Sequence, residues 1–120
     1  MKITEIAFTG HRVTDLPRAR TFYEGVLNLK SDAEGEGWVE YDLKGSTFGL
    51  HTFGPPVDYG HGGCEIALEV EDFDEALTHL RSHGVELSSE PIDTGVCRMA
   101  FIKDPDGIPL TIHKRHPNRE

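Results

Sequence analysis

The chain repeats itself, and that constrains its fold more than any other feature. Asp15-Leu16-x-x-Ala19-x-x-x-Tyr23 returns as Asp72-Phe73-x-x-Ala76-x-x-x-Leu80, and the run Gly45 to His51 (GSTFGLH) returns as Gly107 to His113 (GIPLTIH). The offset is 57 residues at the aspartates and 62 at the glycines, so the second copy carries a short insertion. A module of about fifty residues buries too little surface to hold a core alone. The two copies, about residues 1–56 and 62–116, are therefore expected to pack as a single 120-residue domain. Function is sought where the copies face each other.

Composition narrows the classes. With 13 glycines, 7 prolines and 37% hydrophobic residues, the chain reads as many short strands joined by turns. The net charge of −9 speaks against a nucleic-acid partner, since phosphate binding needs a basic face. The basic residues Lys114, Arg115 and Arg119 read as a solvated tail. No apolar run reaches membrane-spanning length and the N-terminus shows no signal-peptide pattern, so no membrane is expected. Cys64 and Cys97 are too few for a disulfide framework, and a cytoplasmic address with reduced thiols is expected.

The first copy predicts a strand over Ile3–Phe8. Thr14-Asp15 then caps a helix whose buried stripe is Leu16, Ala19, Phe22, Tyr23 and Val26, ending at Gly25. Alternation predicts strands over Trp38–Leu43 and Thr47–Phe53, around a Lys44-Gly45 turn. The second copy predicts a strand over Cys64–Val70 and a helix from Asp72 to Gly84 with Glu75 at the capping-box position. Strands over Val96–Ile102 and Leu110–His113 follow, joined by Asp104-Pro105-Asp106-Gly107. Weaker strands are read around Leu27–Ser31 and Val85–Ser88. The order is βαβββ, twice, an α+β chain.

These motifs, Val13-x-Asp15-Leu16-x-Arg18-Ala19-x-x-Phe22-Tyr23, Leu27-x-Leu29 and Asp104-Pro105-Asp106-Gly107, resemble the vicinal oxygen chelate superfamily of glyoxalases, bleomycin-resistance proteins and extradiol dioxygenases. The resemblance implies a glyoxalase-like fold, in which each βαβββ module curls its mixed sheet into a half-cup and two modules close around a ligand or divalent metal. It does not specify the reaction. Metal-dependent relatives take one ligand from the first strand and one from the last strand of each module. Carried onto this chain, those positions are Phe8, Gly49, Glu65 and Thr111, of which Glu65 alone is a good donor.

Two departures point to other residues. His51 and His113 lie two residues beyond the vacated last-strand positions, and a strand returns to the same face every second residue. With Glu65 they make two imidazoles and a carboxylate, a set suited to an open metal site or to acid–base work. If Gly10 marks a bulge, Glu5 instead of Phe8 becomes the counterpart of Glu65, and His11 also faces inward. Phe8, Trp38, Tyr41, Phe48 and Phe101 read as packing residues. Any that line the cup, with Phe8, Trp38 and Phe101 the candidates, favour a flat ligand. Arg98 is a candidate partner for a substrate carboxylate.

Two functions of different class follow. The first is a small-molecule enzyme similar to glyoxalase or dioxygenase members, a lyase, isomerase or dioxygenase acting on an oxygen-rich substrate. Its catalytic residues are His51, Glu65 and His113, holding a divalent ion (Zn, Ni, Fe or Mn) or acting as acid and base without one. The second is a metal-free protein that sequesters a ligand, resembling bleomycin-resistance members, for which the acidic balance suits a cation. In either case a homodimer is expected, since dimeric relatives form their cups between chains and apolar sheet edges need covering.

Overall fold

The computed structural model describes residues 1–120 other than Ile3, Glu5, 55–65 and 118–120. The chain divides into two units, Met1–Val57 and Asp58–Glu120, and each is a strand, a helix and three strands in that order. The βαβββ reading of the repeat therefore stands.

In the first unit, β1 (Thr9–Arg12), β2 (Ala33–Gly35), β3 (Trp38–Leu43) and β4 (Ser46–His51) form one sheet in the order β1-β4-β3-β2. β1 runs parallel to β4 and the other pairs are antiparallel. Lys44 (φ 55°) and Gly45 (φ 83°) make the tight β3–β4 turn, the two successive left-handed residues that a right-twisted hairpin needs. Asp15 caps α1 (Leu16–Arg20), its carboxylate accepting the Arg18 N–H at 3.0 Å. The helix then widens into a π turn over Thr21–Val26, where the Leu27 N–H reaches back to the Phe22 carbonyl at 3.0 Å. Phe22 and Tyr23 of this turn are both buried, as is Ala19 before them, and the Tyr23 ring meets Phe48 of β4. The chain leaves this helix through Asn28 at φ 62°, not through Gly25.

The second unit repeats the plan with β5 (Ala67–Glu69), β6 (Ile92–Asp93), β7 (Cys97–Lys103) and β8 (Pro109–Arg115), ordered β5-β8-β7-β6. Asp72 caps α2 (Phe73–Ser82) by accepting the Glu75 N–H at 3.0 Å, and Gly84 at φ 75° follows the helix end. Phe73, Leu77 and Leu80 are buried with Ala100, Ile102, Leu110 and Ile112. In the turn before β8, one Asp104 carboxylate oxygen accepts the Asp106 and Ile108 N–H groups at 2.8 and 2.9 Å. That turn is structural, as its composition suggested.

Three expected strands move. The first strand lies at Thr9–Arg12 instead of Ile3–Phe8, because only there does the backbone find the β4 ladder, Thr9 opposite Phe48 through Arg12 opposite His51. No bulge interrupts that register at Gly10. The weak strands expected around Leu27–Ser31 and Val85–Ser88 are replaced by β2 and β6, which start a few residues later and hold three and two residues. Both are edges whose residues are exposed, so no buried side chain marks them in the sequence. Among the described residues no helix is long and apolar enough to cross a membrane.

Candidate functional site

Each sheet has a helix face and an open face. In the first unit the Phe48 ring meets Tyr23 of the helix at 5.5 Å between centroids. The rows Thr9–Phe48–Tyr41 and His11–Leu50–Val39 therefore face the helix. Alternation turns the rows Gly10–Gly49–Glu40 and Arg12–His51–Trp38 to the other side. There a hollow of about 260 Å³ has Phe8, Trp38, His51 and Phe53 as walls, with Gly10, Gly49 and Glu40 between them.

The glycines are what make the hollow deep. A Cβ on Gly10 would come within 3.3 Å of the Phe8 ring and 3.6 Å of His51, filling the space between those walls. Gly35 of β2, paired in register with Trp38, gives the indole its seat: a Cβ there would overlap the indole ring. Gly35→Ala is therefore expected to swing the indole off its seat while the sheet holds. The indole N–H resonance should shift with no loss of far-ultraviolet dichroism, and an unchanged indole signal would contradict this packing.

His51 closes one wall by stacking on Phe53, centroids 5.7 Å apart and planes 20° from parallel. The Phe53 N–H donates to His51 Nδ1 at 3.1 Å. A neutral imidazole whose Nδ1 accepts carries its proton on Nε2, so this ring offers the hollow a donor and not a lone pair.

In the second unit Arg98 lies 4.3 Å above the Phe73 ring of α2 and pairs with Asp74 at 3.1 Å. Arg98 thus belongs to the helix side, and the next row, Met99–His113–Glu69, faces away from it. Phe101 shares that open face with Thr111 and Ala67. His113 Nδ1 meets a Glu69 carboxylate oxygen at 2.5 Å, while the other oxygen accepts the Arg115 N–H at 2.9 Å. Desolvation pulls the Glu69 carboxyl upward, but the Arg115 N–H and His113 outweigh it and hold it below the usual carboxylate range. This carboxylate orients the imidazole, and in the neutral tautomer that donates to it from Nδ1 the lone pair lies on Nε2, the arrangement of a proton acceptor.

The remaining expected site residues sort as follows. His11 faces the helix, not the cup: it is buried edge-on against Phe48, centroids 5.3 Å apart, and burial lowers its pKa to about 4. Glu5 and Glu65 lie outside the described residues. Within the described strands Gly10 stands opposite Gly49 as Ala67 stands opposite Thr111, an offset of 57 between the first strands of the two units. Cys97 is buried with its sulfur 3.2 Å from the Thr94 hydroxyl.

Of the positions that the resemblance assigns to first-unit ligands, Phe8 and Gly49 donate nothing, and the His51 Nδ1 is taken up by the Phe53 N–H at 3.1 Å. Among the described residues no three His, Cys, Asp or Glu side chains converge.

Sequence reasoning passed over Glu40, Phe53 and Glu69. Each was within reach of period-two counting: Glu40 lies two residues after Trp38, Phe53 two after His51, and Glu69 four after Glu65. Glu69 also stands directly opposite His113 in the parallel ladder, which the sequence does not display.

Residues 5–112 match the family model described as the Glyoxalase/Bleomycin resistance protein/Dioxygenase superfamily. The lactoylglutathione lyase of Salmonella typhimurium is 30% identical over 115 residues, covering 84% of this chain and 85% of its own. The uncharacterized protein YaeR of Escherichia coli K12 is 37% identical over 115 residues, covering 85% and 89%. Among solved structures, TnmS3, an antibiotic binding protein from Streptomyces sp. CB03234, superposes with a TM-score of 0.77 at 25% identity, covering 97% of this chain and 99% of its own. A glyoxalase/dioxygenase from Nostoc punctiforme superposes at 0.76 over 93% and 91% of the two chains; at 17% identity it speaks to the fold alone.

Proposed function

Because the chain belongs to the glyoxalase/bleomycin resistance protein/dioxygenase superfamily, we propose that it takes up a small molecule with a flat, conjugated face in the hollow of its first unit. The observation that carries this reading is the lining: Phe8, Trp38, His51 and Phe53 stand around two glycines, where a metal-using site would place donors. Phe8 and Phe53 remain more than half exposed, at 57% and 56%, so their apolar surface gains most from a bound ring. The His51 Nε2–H supplies a directional contact for an acceptor on the ligand rim. The likeness to an antibiotic binding protein supports sequestration of such a molecule.

Trp38 is the chain's single tryptophan, so its indole reports on the hollow without ambiguity. Titration with a panel of planar aromatic compounds should move its fluorescence and its indole N–H resonance saturably. Trp38→Ala, followed by calorimetric titration because the indole signal is gone, should weaken the best of them by about tenfold, the worth of one well-stacked aromatic partner. A panel that binds wild type and variant equally, or not at all, would count against the hollow.

A second reading is supported by the Glu69–His113 pair and by the relatives named lactoylglutathione lyase. Here the oriented imidazole accepts a proton from a bound substrate through Nε2, and Glu69 stabilises the imidazolium that forms. Formation of lactoylglutathione from the hemithioacetal of glutathione and methylglyoxal by the wild type, abolished in His113→Asn, would support it. Wild-type protein that leaves the hemithioacetal unchanged would remove the lyase reading and leave binding alone.

A further inference from the structure

We infer that the ligand of the first-unit hollow is an organic cation, and that Glu40 is the residue that selects it. The inference rests on the reading above, that the hollow receives a flat molecule, and adds the charge. Glu40 sits at the middle of the open face. Its lateral neighbours in the sheet are Gly49 and then Gly10 on one side, and Ala33 on the other. None of these can supply a counter-charge or cover a carboxylate. Along its own strand the next residues on the same face are Trp38 and Asp42, an aromatic ring and a second acid.

Nor, among the described residues, does a cation reach Glu40 from elsewhere. Arg20 is committed to Glu24 at 2.6 Å and Glu34 at 2.9 Å. Arg12, in the adjacent row, donates to the carbonyls of Val13 and Gly54 at 3.0 Å each. Among the described residues the Glu40 carboxylate has no ion-pair or hydrogen-bond partner, although it lines an aromatic hollow.

A carboxylate placed beside low-dielectric walls and left without a partner raises the local affinity for positive charge. The walls themselves work in the same direction. The faces of Trp38, Phe8 and Phe53 carry negative quadrupole potential, and a cation among them gains from each ring. Glu40 and the rings thus select one chemistry, a planar conjugated system bearing a fixed or protonated positive nitrogen. The two glycines let that system lie close to the sheet. A neutral flat molecule meets the rings but leaves the carboxylate unanswered, and an anion is repelled.

The test compares two molecules of one shape, N-methylquinolinium and 1-methylnaphthalene, by titration of the Trp38 indole N–H resonance in the full chain. The cation is expected to bind about tenfold more tightly, a margin that shrinks as salt is added. Glu40→Gln should erase the margin by weakening only the cation, and Glu40→Lys should reverse it. Equal affinity of the two probes for the wild type would overturn the charge assignment while leaving the aromatic hollow standing. A margin that survives both variants would overturn the assignment to Glu40. If neither probe perturbs Trp38, the assignment and the reading beneath it both fall.

Discussion

Replacing Phe48 with alanine should cost the first unit about 3–5 kcal/mol, the range for deleting a buried aromatic ring from a close-packed core. The ring is the point where the sheet meets its helix. It packs edge-on against His11 at 5.3 Å, tilted against Tyr23 at 5.5 Å and stacked on Tyr41 at 6.2 Å. Alanine removes all three contacts and leaves a void that neighbours anchored in β1, β3 and the π turn cannot close. Tyr41 is held besides by its hydroxyl, which donates to Glu24 at 2.9 Å, so it cannot slide into the gap. Burial, together with the Glu24 carboxylate, pushes that phenol well above its usual pKa, and the hydroxyl remains a donor. Urea unfolding followed by circular dichroism should show the midpoint fall sharply, with Phe48→Leu losing less. A loss below about 1 kcal/mol would mean that the ring is not the keystone described.

The second large effect comes from pH. Burial lowers the His11 pKa from 6.5 to about 4, so the fold accommodates the neutral ring. Above pH 6.5 neither the folded nor the unfolded chain protonates it, and its contribution to stability is whole. Below that, the unfolded chain binds the proton first, and stability is lost as the pH falls through the interval down to about 4. The loss over this window is on the order of 3 kcal/mol. Glu24, Glu69 and Asp93, all held below the usual carboxylate range, add losses of the same sign at lower pH. The comparison that isolates His11 is therefore wild type against His11→Gln or His11→Phe, by urea unfolding across the same pH range. The variants should show a shallower decline between pH 6.5 and 4. Parallel curves would contradict the burial argument.

The architecture was legible because duplication wrote it twice and each copy kept its punctuation. Asp15 and Asp72 cap where capping oxygens were expected, and Lys44-Gly45 and Asp104 to Gly107 turn where turns were expected. What escaped was set by partners distant in sequence. The first strand carries Thr, Gly, His and Arg, a polar string that nothing local marks as β. It is a strand because β4 offers it a parallel ladder. The π turn escaped for a related reason: Phe22 and Tyr23 are adjacent, and only tertiary packing buries both.

The site was half legible for the same kind of reason. His51 was named from strand parity, Phe8 from a position the resemblance implied and Trp38 as a ring on a strand, and all three line the hollow. His11 was assigned to the cup on the supposition of a bulge at Gly10, and the unbroken register turns it to the core. Arg98 has the opposite parity to Met99 and stacks on Phe73, a contact that no count along one strand foretells. Glycines are the least legible of all. Gly10 and Gly35 matter for what they omit, and the sequence does not say which rings stand over them.

The central claim is that a flat ligand lies on the open face of the first sheet against Trp38. The most direct measurement is the set of intermolecular nuclear Overhauser effects between a bound planar compound and the isotope-labelled chain. The account predicts cross-peaks from the ligand ring to the Trp38 indole and to the Phe8 and Phe53 rings, and to the Gly10 and Gly49 α-protons. Cross-peaks gathered instead on helix-side residues such as Phe48 or Val39, or on the second unit alone, would contradict it.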